Sequence, residues 1–141
     1  MPLASASYHF AGIDDLIAVA VRQVNEDLVR RLQAVPPDRG IEHLADLLAD
    51  EVNGNRQMLL AEYEAYLYLA RRPDLRPDSL LAWLDVLCDT FAGELDASQR
   101  RSFQATIEGA CLHALFSDPP VDSRQIEETL RLAWPGPTPA R

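Results

Sequence analysis

The side chains able to do chemistry in this sequence are few and sparsely placed. His43 and Asp46 stand at i, i+3, and His113 lies near Glu108; each pair is a fragment of a metal site. A closed zinc site needs about four ligands, and neither pair is joined by a second one in sequence, so hydrogen-bonded histidines are the simpler reading and no metal or cofactor is expected. Cys88 and Cys111 form no C-x-x-C pair and fall in apolar stretches, which reads as buried free thiols. No Ser-His-Asp or Cys-His set and no glycine-rich phosphate loop is discernible. Glu62 is different. A carboxylate beside Tyr63 on a mostly apolar helix requires a partner, an exit to solvent, or a ligand, and a cationic ligand would suit it. It is also the only acid or base on which a small helical enzyme could be built. On this evidence the chain is not expected to be an enzyme.

The elements that must position these groups are helices. Apolar residues recur every three or four positions, strand-like alternation is absent, and Pro and Gly fall between the periodic segments. A first helix is expected over about 14–35, with Ile17, Val21, Val24, Leu28 and Leu32 on one stripe and Pro36-Pro37 at its end. A second covers about 41–52 and stops at Asn53-Gly54-Asn55. A third, about 56–72, is apolar around most of its circumference and is expected to be central. A fourth starts at Pro77 and reaches about Leu95. A fifth begins at Asp96, where Asp96 and Gln99 make a capping box, and the last repeats that signal with Asp122 and Gln125 before its anchors Ile126, Leu130 and Trp134. The fold class is therefore all-α, an antiparallel bundle of about six helices over 14–134. Residues 1–13 precede it and 135–141 form a loose tail.

Composition narrows the function. The chain has 141 residues, 48% hydrophobic and 25% charged, ordinary values for one globular domain. No apolar run approaches the roughly 18 to 20 residues of a membrane span, and the N-terminus lacks the pattern of a signal peptide. The expected location is the cytoplasm, with no membrane partner. The net charge is −9 and all 13 basic residues are Arg. The pairs Arg30-Arg31, Arg71-Arg72 and Arg100-Arg101 sit near helix ends, where the helix dipole accounts for them. A chain so acidic binds DNA weakly unless its basic groups cluster.

Tyr8-His9-Phe10, followed by Asp14-Asp15-Leu16, resembles the end of the helix-turn-helix and the opening of the core domain in TetR-type transcriptional regulators. Tyr63-Glu64-Ala65-Tyr66-Leu67, leading into Ala70-Arg71-Arg72-Pro73-Asp74-Leu75-Arg76-Pro77, is similar to the central helix and turn of one large group of that family's C-terminal domains. Ile107-Glu108-Gly109-Ala110 resembles the group's late helix. The sequence departs from the family at the turn, where Gly12 and Ile13 replace the usual Ser-Lys, and the two helices that precede a recognition helix are not in it.

The resemblance implies a TetR C-terminal-domain-like fold and a ligand-responsive regulator, a repressor by family expectation. Tyr8 and His9 would be a remnant of the DNA-facing surface, effective only with a helix-turn-helix upstream. An effector pocket for an unknown small molecule is implied between the first, third and fourth helices, with Met58, Glu62, Tyr63, Tyr66, Trp83 and Phe91 as candidates. The bland alternative for each aromatic residue is plain core. A homodimer is implied through the fourth and fifth helices, using Leu84, Leu87, Ile107, Gly109, Ala110, Ala114 and Leu115, with packing inside the subunit as the alternative. The competing functional reading is a headless dimeric module that binds a small molecule or partner without touching DNA.

Overall fold

The structure, a computed structural model, describes residues 12–36, 38–76 and 80–134. Among these are six α-helices and no strand: α1 (Ile13–Gln33), α2 (Ile41–Gly54), α3 (Arg56–Ala70), α4 (Ala82–Phe91), α5 (Ala97–Leu115) and α6 (Ser123–Ala133). All six expected helices are present, and all but the fourth keep close to their expected bounds. The expected capping box is present at α5, where Asp96 Oδ1 accepts from the Ser98 and Gln99 amides and Gln99 Oε1 accepts from the Asp96 amide. At α6, Asp122 accepts from the Arg124 amide alone. No described helix is long and apolar enough to cross a membrane.

The α2–α6 pair makes the most extensive helix contact, α1 packs along α4, and α5 closes against α4 and α6. Leu44, Val52, Leu87, Phe103, Ile107 and Leu130 are fully buried at these contacts. Each such side chain stabilises the fold by about 1.5–3 kcal/mol. Trp134 leans edge-on to Phe103 with ring centroids 6.2 Å apart, so the last helix is held at both ends of its stripe.

Three expectations need correction. Helix α4 is shorter than the apolar run suggested: residues 77–79 lie outside the described set, Leu80 and Leu81 form a turn, and the helix begins at Ala82. The Leu80 carbonyl is held by the Asn25 side-chain amide at 2.7 Å, which fixes the approach to α4 from α1. Helix α3 is not central. Of its residues only Leu69 is buried, and Met58 and Leu67 are 59% and 61% exposed. Its apolar circumference instead serves two surfaces, one facing an internal cavity and one facing outward. Finally, Arg100 does not serve a helix dipole. It sits in the first turn of α5, where the dipole disfavours a cation, and pairs across to Asp89 at 2.5 Å and Asp85 at 3.8 Å on α4. The residue that satisfies a helix C-terminus is Arg56, whose guanidinium donates to the carbonyls of Ala114, Leu115 and Ser117 at the end of α5.

The first turn of α1 is tied to the end of α3. The Tyr68 hydroxyl donates to Asp14, and Arg72 reaches the same carboxylate at 3.1 Å. The end of α3 and the start of α1, which follows residues 1–11, are thus linked through one carboxylate.

Candidate functional site

A cavity of about 740 Å³ opens between α1, α2, α3 and the inner sides of α4 and α5. This is within the usual size of a small-molecule site, roughly 300–1,000 Å³. Val24, Leu28 and Leu32 of α1, Leu44 and Leu48 of α2, and Leu59 of α3 supply its apolar walls. Met58, Glu62, Tyr63, Tyr66 and Trp83, five of the six residues expected from the sequence, line it together. Phe91 does not. It lies more than two turns beyond Trp83 on α4 and is buried in the core beside the His43 ring, 6.4 Å between centroids. Helices α2 and α5, which the sequence reading left out of the pocket, contribute Leu47, Glu51, Glu108 and Cys111.

The polar groups of the cavity form two short chains. The Tyr66 hydroxyl lies 2.5 Å from Glu62 Oε1 and 2.9 Å from Asn25 Oδ1. Asn25, 7% exposed, is the one buried polar residue described, and its amide continues to the Leu80 carbonyl. The Tyr63 hydroxyl donates to Glu108 Oε2 at 3.1 Å, with the Glu108 carbonyl at 3.3 Å. The Tyr63 and Tyr66 rings meet edge-on, centroids 6.3 Å apart. Among the described residues, two buried polar atoms of the lining lack a hydrogen bond of normal geometry: Glu108 Oε1, and Trp83 Nε1, which lies near the Tyr66 hydroxyl. An unmade hydrogen bond at a buried group costs about 1–3 kcal/mol, so a donor and an acceptor left open in one cavity mark places where a ligand gains.

Electrostatics sharpen this picture. Burial pushes the Glu62 carboxyl above its usual range, opposed by the Tyr66 hydrogen bond and reinforced by Glu51. Burial likewise raises Glu108, with Glu62 adding to the effect. The phenols of Tyr63 and Tyr66 are pushed up, first by burial and then by the neighbouring carboxylates. Burial, then Glu108 and Glu62, lifts the Cys111 thiol to about 12, so it stays protonated and is no nucleophile. At the rim, Asp27 pairs with Arg30, and Arg31 with Glu51 at 3.3 Å. Glu62 and Glu108 therefore remain as carboxyls of the lining with no cationic partner in hydrogen-bonding contact. Two acids among three aromatic faces in an apolar cavity suit a flat organic cation.

The residues expected at a subunit contact fall into two groups. Leu84, Leu87, Ile107 and Leu115 are buried within the subunit's own core, which leaves them no area for a partner. Gly109 and Ala110 are half-buried and, with Ala114, line a groove between α5 and α6. Phe116 and Leu132, 85% and 88% exposed, lie on the same two segments. The division follows from α4, whose apolar arc packs within the subunit against α1 and α5. Tyr8 and His9 lie outside the described residues. Among the described residues no group of His, Cys, Asp or Glu is arranged to hold a metal ion.

Glu108 and Cys111 of the lining, and Asn25 buried behind Tyr66, are polar groups the sequence reading missed. Glu62 and Tyr66 at i, i+4 were legible as a pair, and Glu108 sits three residues before Cys111 on an otherwise apolar strip. Asn25 gave a weaker signal, a lone amide next to Val24 in the α1 stripe.

Comparison with known proteins agrees with this architecture. The family of tetracyclin-repressor-like C-terminal domains matches residues 35–136. The solved structure of the multidrug binding protein EbrR complexed with ethidium is similar at 35% identity and a TM-score of 0.75, over 94% of this chain and 79% of that one. EbrR complexed with proflavin is 36% identical with a TM-score of 0.71, over 94% and 81%. EbrR complexed with imidazole is 33% identical with a TM-score of 0.74, over 100% and 76%. No curated protein matches. With this match over most of its length, the chain belongs to the TetR-type family of ligand-responsive regulators and carries that family's C-terminal domain.

Proposed function

We propose that the chain is the effector-sensing and dimerising part of a TetR-type repressor, and that its effector is a flat aromatic cation held in the α1–α5 cavity. The observation that carries this is the pairing of Glu62 and Glu108 with Tyr63, Tyr66 and Trp83 around one cavity. The aromatic faces stack on a planar ring system and attract its charge, worth about 0.5–2 kcal/mol per contact. The two carboxyls supply the counter-charge, and Glu108 Oε1 is an acceptor left open for it. EbrR, whose structures hold ethidium and proflavin, supports the same ligand class. The protonated Cys111 and the lack of a nucleophile–base pair favour binding over catalysis.

Signal transmission follows from the ties of α3. A cation wedged against Glu62, Tyr63 and Tyr66 moves α3, and α3 holds Asp14 through Tyr68 and Arg72. The start of α1 then shifts, changing the separation of two DNA-binding heads in a homodimer. Tyr8 and His9 are the DNA-facing residues in this reading, and the dimer forms in the cytoplasm through the α5–α6 side, around Gly109 and Ala110. Fluorescence titration with ethidium tests the ligand class. The double variant Glu62→Gln, Glu108→Gln weakens binding at least about tenfold, or 1.4 kcal/mol. Equal affinity in wild type and variant, or equal affinity for an uncharged aromatic of the same size, overturns it.

A further inference from the structure

The hydrogen bonds around Tyr66 restrict where the protons can be. Asn25 Nδ2 donates to the Leu80 carbonyl at 2.7 Å. The opposite amide orientation would press Asn25 Oδ1 against that carbonyl, so Oδ1 faces Tyr66 and can only accept. The Tyr66 hydroxyl is 2.9 Å from this oxygen and 2.5 Å from Glu62 Oε1. A phenol has one proton and cannot donate to both. If that proton satisfies Asn25, the short contact to Glu62 needs a second proton, and only the Glu62 carboxyl can carry it. An ionised Glu62 would take the phenol proton itself and leave Asn25 Oδ1 buried with no donor, at about 1–3 kcal/mol.

The groups facing Glu62 from the other helices agree. Arg31 on α1 favours its ionised form but is exposed and paired with Glu51 of α2. Glu51 itself disfavours ionisation. Glu108 on α5 is a second acid in the same cavity, itself pushed up by burial and by Glu62. Asp27 and Arg30 at the rim neutralise each other. Tyr63 and Cys111 remain neutral.

We propose that Glu62 is a proton-exchanging residue: it holds a proton before the cation enters and releases that proton to solvent as the cation binds. This rests on the cation-binding reading of the cavity. The exchange keeps the charge of the lining constant, one proton leaving for each positive charge arriving. It makes affinity for a permanent cation rise with pH, about tenfold per unit below the ligand-free pKa of Glu62, and level off above it. It also makes the site discriminate by pH rather than by shape alone.

The test is calorimetric titration with ethidium, whose charge does not titrate, at one pH in two buffers of different ionisation enthalpy, repeated from about pH 5 to 8. The expected result is about one proton released per ethidium bound at the acid end, falling toward zero at the alkaline end. Glu62→Gln still binds but releases clearly fewer protons than wild type, and its affinity rises less steeply with pH; Glu108→Gln keeps most of the wild-type release. Heats that are equal in both buffers at every pH overturn the proposal and leave the cation reading intact. A proton count for Glu62→Gln equal to that of wild type overturns the assignment to Glu62. No ethidium binding at all overturns both. Should Glu62→Gln fail to fold, the proton count of the wild type and of Glu108→Gln decides.

Discussion

Replacing Asn25 by Ala tests the junction on which the cavity depends. Asn25 bridges three helices: it sits on α1, donates to Leu80 before α4, and accepts from Tyr66 on α3. The substitution removes two hydrogen bonds of about 1 kcal/mol each and leaves the Leu80 carbonyl to find water or go unpaired. A loss of about 2–3 kcal/mol follows. With an unfolding entropy of roughly 2.1 cal/mol/K per residue, 141 residues give about 0.3 kcal/mol/K, so the midpoint falls by roughly 7–10 °C. Thermal unfolding followed by circular dichroism, at one protein concentration because dimerisation shifts the midpoint, is the assay. Asn25→Asp separates the two bonds. At pH 8 an aspartate accepts from Tyr66 but cannot donate to Leu80, and it adds a charge beside Glu62, so it is the more destabilised of the two variants. As pH falls and the new carboxyl is protonated, it regains the donor and stability recovers. A change in midpoint below about 2 °C for Asn25→Ala would refute the view that this amide ties α1 to α3 and α4.

Glu62 and Glu108 have pKa values raised on folding, so their contribution is fully present below the unfolded value of about 4.5 and is lost as pH rises through the folded values. Glu62→Gln and Glu108→Gln should therefore be as stable as wild type near pH 4 and more stable at pH 8, as measured by urea unfolding at the two pH values. Trp83 lines the cavity while Trp134 packs against Phe103 elsewhere, so bound proflavin should quench mainly Trp83, and Trp83→Phe should abolish most of that quenching in a fluorescence titration. A Cβ at Gly109 meets nothing within 4 Å, and the residue lines an open groove, so Gly109→Arg should leave the subunit folded, with unchanged helix content, but monomeric by sedimentation.

Periodicity carried the fold a long way because every helix of this bundle except α3 has one buried stripe. The stripes of α1, α2, α5 and α6 fell where the apolar spacing placed them, and the Asp96–Gln99 box marked the start of α5 to the residue. The same reasoning failed for α3, where Met58, Leu59, Tyr63, Tyr66 and Leu67 read as a core helix. An apolar residue facing a ligand cavity or an outer surface has the same side chain as one facing the core, and spacing alone cannot tell them apart. The start of α4 was misplaced because Asn25, 55 positions away, holds the Leu80 carbonyl. The pocket was legible where a polar group interrupts an apolar helix, as at Glu62. Glu108 meets it only through the packing of α5 onto α3. Leu84, Leu87 and Ile107, expected at a dimer surface, are buried within the subunit, and spacing alone does not separate the two uses of an apolar residue.

The most direct test of the cation-binding cavity is a crystal structure of the chain with ethidium. The account predicts the phenanthridinium between α1 and α3, stacked on Tyr63, Tyr66 or Trp83, with a carboxyl of Glu62 or Glu108 beside its charged ring. Ethidium bound only in the groove between α5 and α6, or a cavity closed by inward movement of Trp83 and Tyr66 with no ligand inside, would contradict it.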